Sequence, residues 1–357
     1  MRIVLSGYYG FDNVGDEAIL YSIIQALREE DAGVKITVLS NQPSKTERVY
    51  GVDAVNRWSM KEVFSALKKA DGLISGGGSL LQDETGFRSI PYYTGIMKMA
   101  QMLGKPVFVY AQGMGPINKG FNRKIVKHIL KRTQITVRDQ ASKNLLTEIG
   151  LPNPIDIVPD PVLGISLQSR QNDWWDGQGF DGPVLTVSIR DWSSPVNYKE
   201  KIARSLDMAA QNGATIVFIP MHGEHDDQTS KEVAGMMTAT SHIAPYDASI
   251  EEKILIIGKS NLLVGMRLHA LIFASVVETP FIALSYDPKI DAFAEISGQE
   301  VAGHVNEPGW DEHTIYQLIK NKLEHEQEEI AQLRKKILPL QQKAKETARQ
   351  AIEYFKL

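Results

Sequence analysis

Short β-branched apolar runs alternate with amphipathic segments along this chain, and the alternation starts a second time halfway through. In the first half, Ile3–Ser6, Lys35–Leu39, Gly72–Ser75, Pro106–Ala111 and Ile135–Arg138 read as strands. Asp16–Glu30, Lys61–Lys69, Pro91–Leu103, Phe121–Arg132 and Ala141–Ile149 read as the helices between and after them. Prolines 152, 154, 159 and 161 then mark a crossing. Beyond it the pattern resumes, with strands at Val184–Ile189, Thr215–Ile219, Leu262–Val264 and Phe281–Leu284. The expected helices there are Lys199–Asn212, Ile250–Gly258 and Arg267–Val276. Strand–helix alternation of this kind requires parallel, doubly wound sheets. The tail from Asp311 to Leu357 is dense in Glu, Lys, Gln and Leu and reads as helical, with a break expected before Pro339. The expected divisions are 1–163, 164–310 and a helical segment 311–357 that crosses back to the first domain.

Composition removes several functions. There is no cysteine, so disulfides, thiolate catalysis and cysteine-ligated metals are excluded. A net charge of −4 argues against general nucleic-acid binding. No apolar run approaches the ~20 residues of a membrane span, and the glycine-interrupted start is no signal peptide. A cytoplasmic protein is expected, with any membrane contact peripheral. The lysines 335, 336, 343 and 345 of the tail are one candidate for such a contact, diluted by acidic neighbours.

In doubly wound sheets, ligands sit beyond the carboxyl ends of the strands. The first strand is followed by Gly7–Glu17, in which Asn13, Gly15 and Asp16 precede a helix whose amides suit an anion or a sugar hydroxyl. The glycine spacing is not that of a dinucleotide fingerprint. Gly76, Gly77 and Gly78 leave bare backbone after a buried strand, with Asp83 just beyond as a candidate general base. Gln112 and Arg138 end two further strands, and Arg138 is equally readable as part of a buried ion pair.

Three strand ends in the second half carry Arg190, Met221-His222 and Arg267-Leu268-His269. Arginine forks match carboxylate and phosphate bidentately, and a helix N-terminus favours anions. These residues are the expected donor site. His222–Asp227 reads as a solvated loop rather than a set of metal ligands, and no metal is expected.

Gly7–Glu17, Ser75–Ser79, Val137-Arg138-Asp139 and Gly265-Met266-Arg267-Leu268-His269, taken in order, resemble the polysaccharide pyruvyl transferase family, over nearly the whole chain up to about Gly303. The resemblance implies two Rossmann-like domains facing a cleft (the glycosyltransferase B-like architecture), with phosphoenolpyruvate as donor and no metal or separate cofactor. It also implies that Arg190, Arg267 and His269 contact the donor while Asn13 and Asp83 face it from the other domain. For the branch acting on secondary cell-wall polymers, the implied acceptor is a lipid-linked saccharide ending in β-N-acetylmannosamine, ketalised at its 4- and 6-hydroxyls. His269, Arg267 and Asp83 are then the expected catalytic groups. The oligomeric state stays open, a homo-oligomer included. A nucleotide-sugar glycosyltransferase of the same architecture is the alternative, with Glu278 as its ribose-binding acid, and a non-catalytic sugar-binding protein is the third reading.

Overall fold

Among the described residues of the computed structural model (all but 85, 87 and 168–170), a seven-stranded parallel sheet carries the first half of the chain. Its elements run β1 (Arg2–Ser6), α1 (Val14–Glu30), β2 (Lys35–Ser40), α2 (Pro43–Tyr50), β3 (Asp53–Asn56), α3 (Met60–Lys69) and β4 (Gly72–Gly76). They continue as α4 (Ser89–Met102), β5 (Val107–Gln112), α5 (Gly120–Leu130), β6 (Gln134–Val137), α6 (Gln140–Glu148) and β7 (Ile155–Ile157). The strand order is β3-β2-β1-β4-β5-β6-β7. The direction of winding therefore reverses between β1 and β4, where the chain's loops leave a crevice at the carboxyl edge. Every residue of β4 and β5 is buried, as expected for a parallel sheet covered on both faces.

The second sheet repeats the plan with six strands, ordered β10-β9-β8-β11-β12-β13. Its elements are α7 (Asp173–Asp176), β8 (Val184–Ser188), α8 (Tyr198–Gln211), β9 (Thr215–Phe218), α9 (Gly223–Met236), β10 (His242–Ile243) and α10 (Ile250–Gly258). They are followed by β11 (Leu262–Gly265), α11 (Leu268–Val276), β12 (Phe281–Ser285), α12 (Pro288–Ser297), β13 (Glu300–His304), α13 (Glu312–Glu324) and α14 (Glu326–Phe355). Here the winding reverses between β8 and β11. The chain divides into two compact units, 1–166 with 340–357, and 167–339.

Two expectations are corrected. The tail does not break at Pro339: the interruption falls at His325, and α14 runs through Pro339. A proline forfeits one backbone hydrogen bond, but Leu333 and Ile337 before it and Ala344, Ala348 and Ala351 after it are all buried, which offsets that loss. Residues 222–227 are not a solvated loop; they open α9, and Asp226 and Asp227 are buried.

The glycines after β4 are required by close packing on α1. A Cβ on Gly77, whose φ is +61°, would lie 1.9 Å from Cγ2 of Ile19, and one on Gly78 would lie 2.7 Å from Oδ1 of Asp16. Gly77→Ala should therefore lower stability by about 2–3 kcal/mol, or roughly 5–10 °C in Tm. Gly95→Ala, inside α4 with nothing within 4 Å of the added Cβ, should leave Tm unchanged or raise it. Thermal unfolding of the two variants checks both outcomes.

Candidate functional site

Strand register brings the second-half residues together. Ser188 of β8 pairs with Gly265 of β11, so Arg190 and Arg267 each lie two residues beyond the same rung of neighbouring strands. β9 runs on the other side of β8, with Phe218 paired to Val187, and delivers His222 to the same edge. The winding reversal and the arginines therefore coincide.

Arg267 is held by a carboxylate that sequence reading did not assign. Its Nε donates to Oδ2 of Asp226 at 2.9 Å and its Nη2 donates to Oδ1, a bidentate pair. Asp226 is 1% exposed, whereas the arginine side chain keeps 20% of its surface. The same carboxylate accepts from the amide of Met221 at 3.2 Å. Arg190 lies between two rings, 4.9 Å from the Trp192 centroid and 4.6 Å from that of Tyr286. Its Nη1 donates to the Tyr286 hydroxyl at 2.9 Å, while its buried Nε has no hydrogen-bond partner among the described residues. An unsatisfied buried donor is costly, and an anion would relieve it.

His222 is the N-cap of α9 and Arg267 that of α11, and neither helix has a side-chain cap. By contrast, Ser249 and Asp287 cap α10 and α12. Leu268 and His269 form the first turn of α11, so two N-terminal dipoles add to two guanidiniums. Burial, then the charge of Arg267, drives the His222 imidazolium below its ordinary pKa, against the pull of Asp226. His225 and Arg190 push in the same direction. These effects favour the neutral imidazole of His222. Behind it, the buried Lys253 donates to the carbonyls of Pro220, Pro245 and Tyr246 at 2.9, 3.3 and 3.0 Å. Its burial lowers the ammonium pKa to about 8 despite Asp247, Asp226 and Glu252. This lysine fixes the backbone that carries Met221 and His222.

The first sheet's edge is acidic and aromatic. Asn13 caps α1, accepting from the Gly15 amide at 3.1 Å, and Gly15 is buried in the first turn. Asp16 follows, beneath Gly78. Burial raises its carboxyl to about 7, with Arg138 pulling it down and Glu17 and Asp160 adding to the rise. Arg138 reaches Asp160 at 3.4 Å, Asp139 at 3.8 Å and the Ser79 hydroxyl at 3.2 Å. Gly76 accepts from the Tyr9 hydroxyl at 3.0 Å through its carbonyl. Gln112 is fully buried and donates to Ser75 at 2.9 Å, while its buried Oε1 has no hydrogen-bond partner among the described residues.

Asp83 does not meet this cluster through any hydrogen bond or ion pair among the described residues. Its carboxylate accepts from the amides of Asn118 and Lys119 at 2.8 and 3.0 Å and from the Asn122 side chain at 2.9 Å. Desolvation raises its pKa, but these bonds outweigh it and hold the group below the usual carboxylate range. Asp83 thus clamps the approach to α5, while Asp16 is the edge carboxylate whose pKa is raised.

Sequence reading also missed Arg57. It is buried, donates to the Gly7 carbonyl at 2.8 Å and the Tyr93 hydroxyl at 3.2 Å, and lies within 5.5 Å of the ring centroids of Phe11, Trp58, Tyr92 and Tyr93. Tyr8 stacks on Phe11 at 4.1 Å, and Tyr8 and Trp58 are exposed. Arg57-Trp58 directly follows β3, so strand-end position was the available signal.

Residues 13–288 match the family model described as polysaccharide pyruvyl transferase. The amylovoran biosynthesis protein AmsJ of Erwinia amylovora is 20% identical over 81% of this chain and 84% of its own length. A UDP-GlcNAc 2-epimerase structure from Neisseria meningitidis, bound to UDP-GlcNAc, superposes with a TM-score of 0.64 at 13% identity, covering 99% of both chains. The ADP-heptose lipopolysaccharide heptosyltransferase II of E. coli gives 0.54 at 11% identity, covering 92% of this chain and all of that one. At these identities the solved structures speak for the glycosyltransferase B-like fold alone.

The Asp16 pKa predicts a pH effect on stability. A folded pKa of about 7 against an ordinary 3.8 means that the native state holds an extra proton between those values. The stability this group contributes is complete below the lower value and is lost as pH rises through the upper one. Asp16→Asn should flatten that dependence and raise Tm at pH 8 by roughly 2–4 °C, with no gain at pH 4. Melting curves of both proteins across pH check it.

Proposed function

This chain belongs to the polysaccharide pyruvyl transferase family, and on that premise we propose that it transfers the enolpyruvyl unit of phosphoenolpyruvate to a saccharide hydroxyl pair as a cyclic ketal. The observation that carries the donor assignment is the pair of guanidiniums at one winding reversal, one fixed by Asp226 and the other between Trp192 and Tyr286 with a spare donor. Phosphoenolpyruvate presents a phosphate and a carboxylate, and two rigid forks beside two uncapped helix ends suit both.

The chemistry adds one sugar hydroxyl to C2 of the donor while the C3 methylene gains a proton. Loss of phosphate with attack by the second hydroxyl then closes the ketal. Positive charge develops at C2 between two anionic groups, so Arg190 and Arg267 steady the phosphate and carboxylate rather than the cation. His269, in the first turn of α11, supplies the proton to C3 or to the departing phosphate. Asp16 takes the proton of the attacking hydroxyl; a base with pKa near the working pH is most effective. The exposed Tyr8 and Trp58 rings flank that carboxylate's loop and offer flat apolar surface to an acceptor sugar. The acceptor we favour is the lipid-linked saccharide ending in β-N-acetylmannosamine.

A nucleotide-sugar donor would need an acid for its ribose beside the second reversal. Glu278, the acid expected from the sequence, lies between the end of α11 and the start of β12, at the opposite edge of the sheet, and pairs with Arg334 at 2.5 Å. That placement counts against Glu278 in the ribose-binding role.

Two measurements check this reading. Phosphoenolpyruvate at saturating concentration should raise the Tm of the wild type, and Arg267→Ala or Arg190→Ala should abolish the rise. A rise with UDP-sugars and none with phosphoenolpyruvate would favour the glycosyltransferase. Asp16→Asn should retain the donor-induced rise yet lose about 10²–10⁴-fold in kcat, the range of general base catalysis. Asp83→Asn should lose far less.

A further inference from the structure

The three neighbouring helices α3, α4 and α5 of the first unit carry seven Lys and Arg residues and one acid, Glu62, in a chain whose net charge is −4. α4 packs against both others, and all three cover one face of the sheet over a common core that includes Val63, Leu67, Ile96, Met97, Val126 and Ile129. Their outward stripes have the same make-up. On α3 the helical spacing aligns Met60, Phe64 and Lys68, with Met60 44% and Phe64 45% exposed. On α4 it aligns Lys98 with Met102, which is 77% exposed. On α5 it aligns Phe121, 74% exposed, with Lys124, His128 and, just past the helix, Lys131. Large apolar tips thus stand beside lysines on every helix of the layer.

Those lysines are not held by acids. Among the described residues, Lys61, Lys68, Lys98, Lys124, Lys127 and Lys131 form no ion pair, and Arg123 is the α5 cation that does, with Glu148. Lys199, by contrast, meets two acids, and Arg334 and Lys345 of α14 meet Glu278 and Glu29. The acids of α14 lie towards its two ends, and Leu338 is the exposed large apolar side chain beside its lysines, so the tail lysines considered from sequence have fewer exposed apolar neighbours than the α3, α4 and α5 face.

We propose that the outer face of α3, α4 and α5 docks on an anionic lipid bilayer. Unpaired lysines would be drawn to the surface potential, and Phe64, Phe121, Met60 and Met102 would enter the acyl boundary. Apolar tips distinguish this from a site for an acidic polymer, which would use cations without exposed phenylalanines. The face begins at the N-terminus of α3, immediately after Arg57-Trp58, so it adjoins the edge carrying Asp16 and the aromatic rings. A lipid-anchored acceptor would be met there, although the docking itself does not depend on the reaction assigned above.

The test is flotation of the full chain with vesicles of phosphatidylcholine alone, or with about one third phosphatidylglycerol, at ~0.1 M salt, where charges about 10 Å apart still interact. The wild type should float with the anionic vesicles only. Lys61→Glu/Lys124→Glu/Lys131→Glu should lose binding by about tenfold or more, and Phe64→Ala/Phe121→Ala should lose it partly. Lys335→Glu/Lys336→Glu/Lys343→Glu should float as the wild type does. Unchanged Tm values would show that the variants are folded. The proposal is overturned if the wild type stays with the soluble fraction, if the α14 variant alone loses binding, or if the chain binds heparin but not vesicles, which would mark the face as an acidic-polymer site.

Discussion

The carboxylate of Asp226 governs the second unit's edge. A guanidinium at a strand end, unsupported, would swing on its flexible stem and point into solvent. Here two oxygens of one buried acid grip it in plane, and that acid is itself fixed by the Met221 amide and by its place in the first turn of α9. Removing the acid would leave a partly buried cation without compensation, a far larger loss than the pair's net contribution to stability. Lys253 performs the complementary task on the backbone, holding the carbonyl of Pro220 just before Met221. Arg267, Met221 and His222 thus stand on strand and helix ends that are themselves braced, as the proposed pre-organised anion site would require.

The first unit solves a different problem with the opposite sign of charge. In water an aspartate carboxyl stays acidic. Asp16 reaches about 7 because the glycines after β4 let α1 pack so closely that its carboxyl is desolvated. Arg138 limits the rise, and its other bonds to Ser79 and Asp160 keep it from neutralising Asp16 outright. The raised carboxyl pKa costs the unit stability as pH rises through about 7. Asp83, seven residues downstream of Gly76, shows the contrast: three donors satisfy it, and its basicity falls accordingly.

Much of this was legible in the sequence where local signals were strong. The buried strands announced themselves by β-branched runs, and strand-end arginines and glycines pointed to both winding reversals. The elements that escaped notice lack such signals. α2 buries only Thr46, so it has no apolar stripe, and α9 begins Gly-Glu-His-Asp-Asp, a composition that reads as solvent-facing. β3 and β13 are sheet edges with exposed ends. The partners were harder still. Nothing local says that Asp226 will meet Arg267 forty-one residues on, or that Tyr286 will stack on Arg190 ninety-six residues away. Those pairings are created by strand order, β9-β8-β11-β12, which juxtaposes four strand ends that the chain visits far apart. The partners of Asp83 were hidden for the same reason: adjacency to a glycine loop in sequence does not reveal that Asn118 and Lys119 arrive from the next crossover.

Charge is therefore used in three distinct ways along one chain with a net value of only −4. In the second unit it is paired and buried so that position is exact while one donor, Nε of Arg190, is left unsatisfied among the described residues. At the first unit's edge it is desolvated, and the Asp16 carboxyl pKa rises. On α3, α4 and α5 the lysines form no ion pair among the described residues, and they stand beside apolar side chains that no core claims. Unpaired surface lysines contribute little to folding, and exposed phenylalanines contribute less than nothing, since they favour association. Their concentration on one helical layer, against the acidic balance of the remainder, adds nothing to folding stability and is what the proposed contact with an apolar, negatively charged boundary would require.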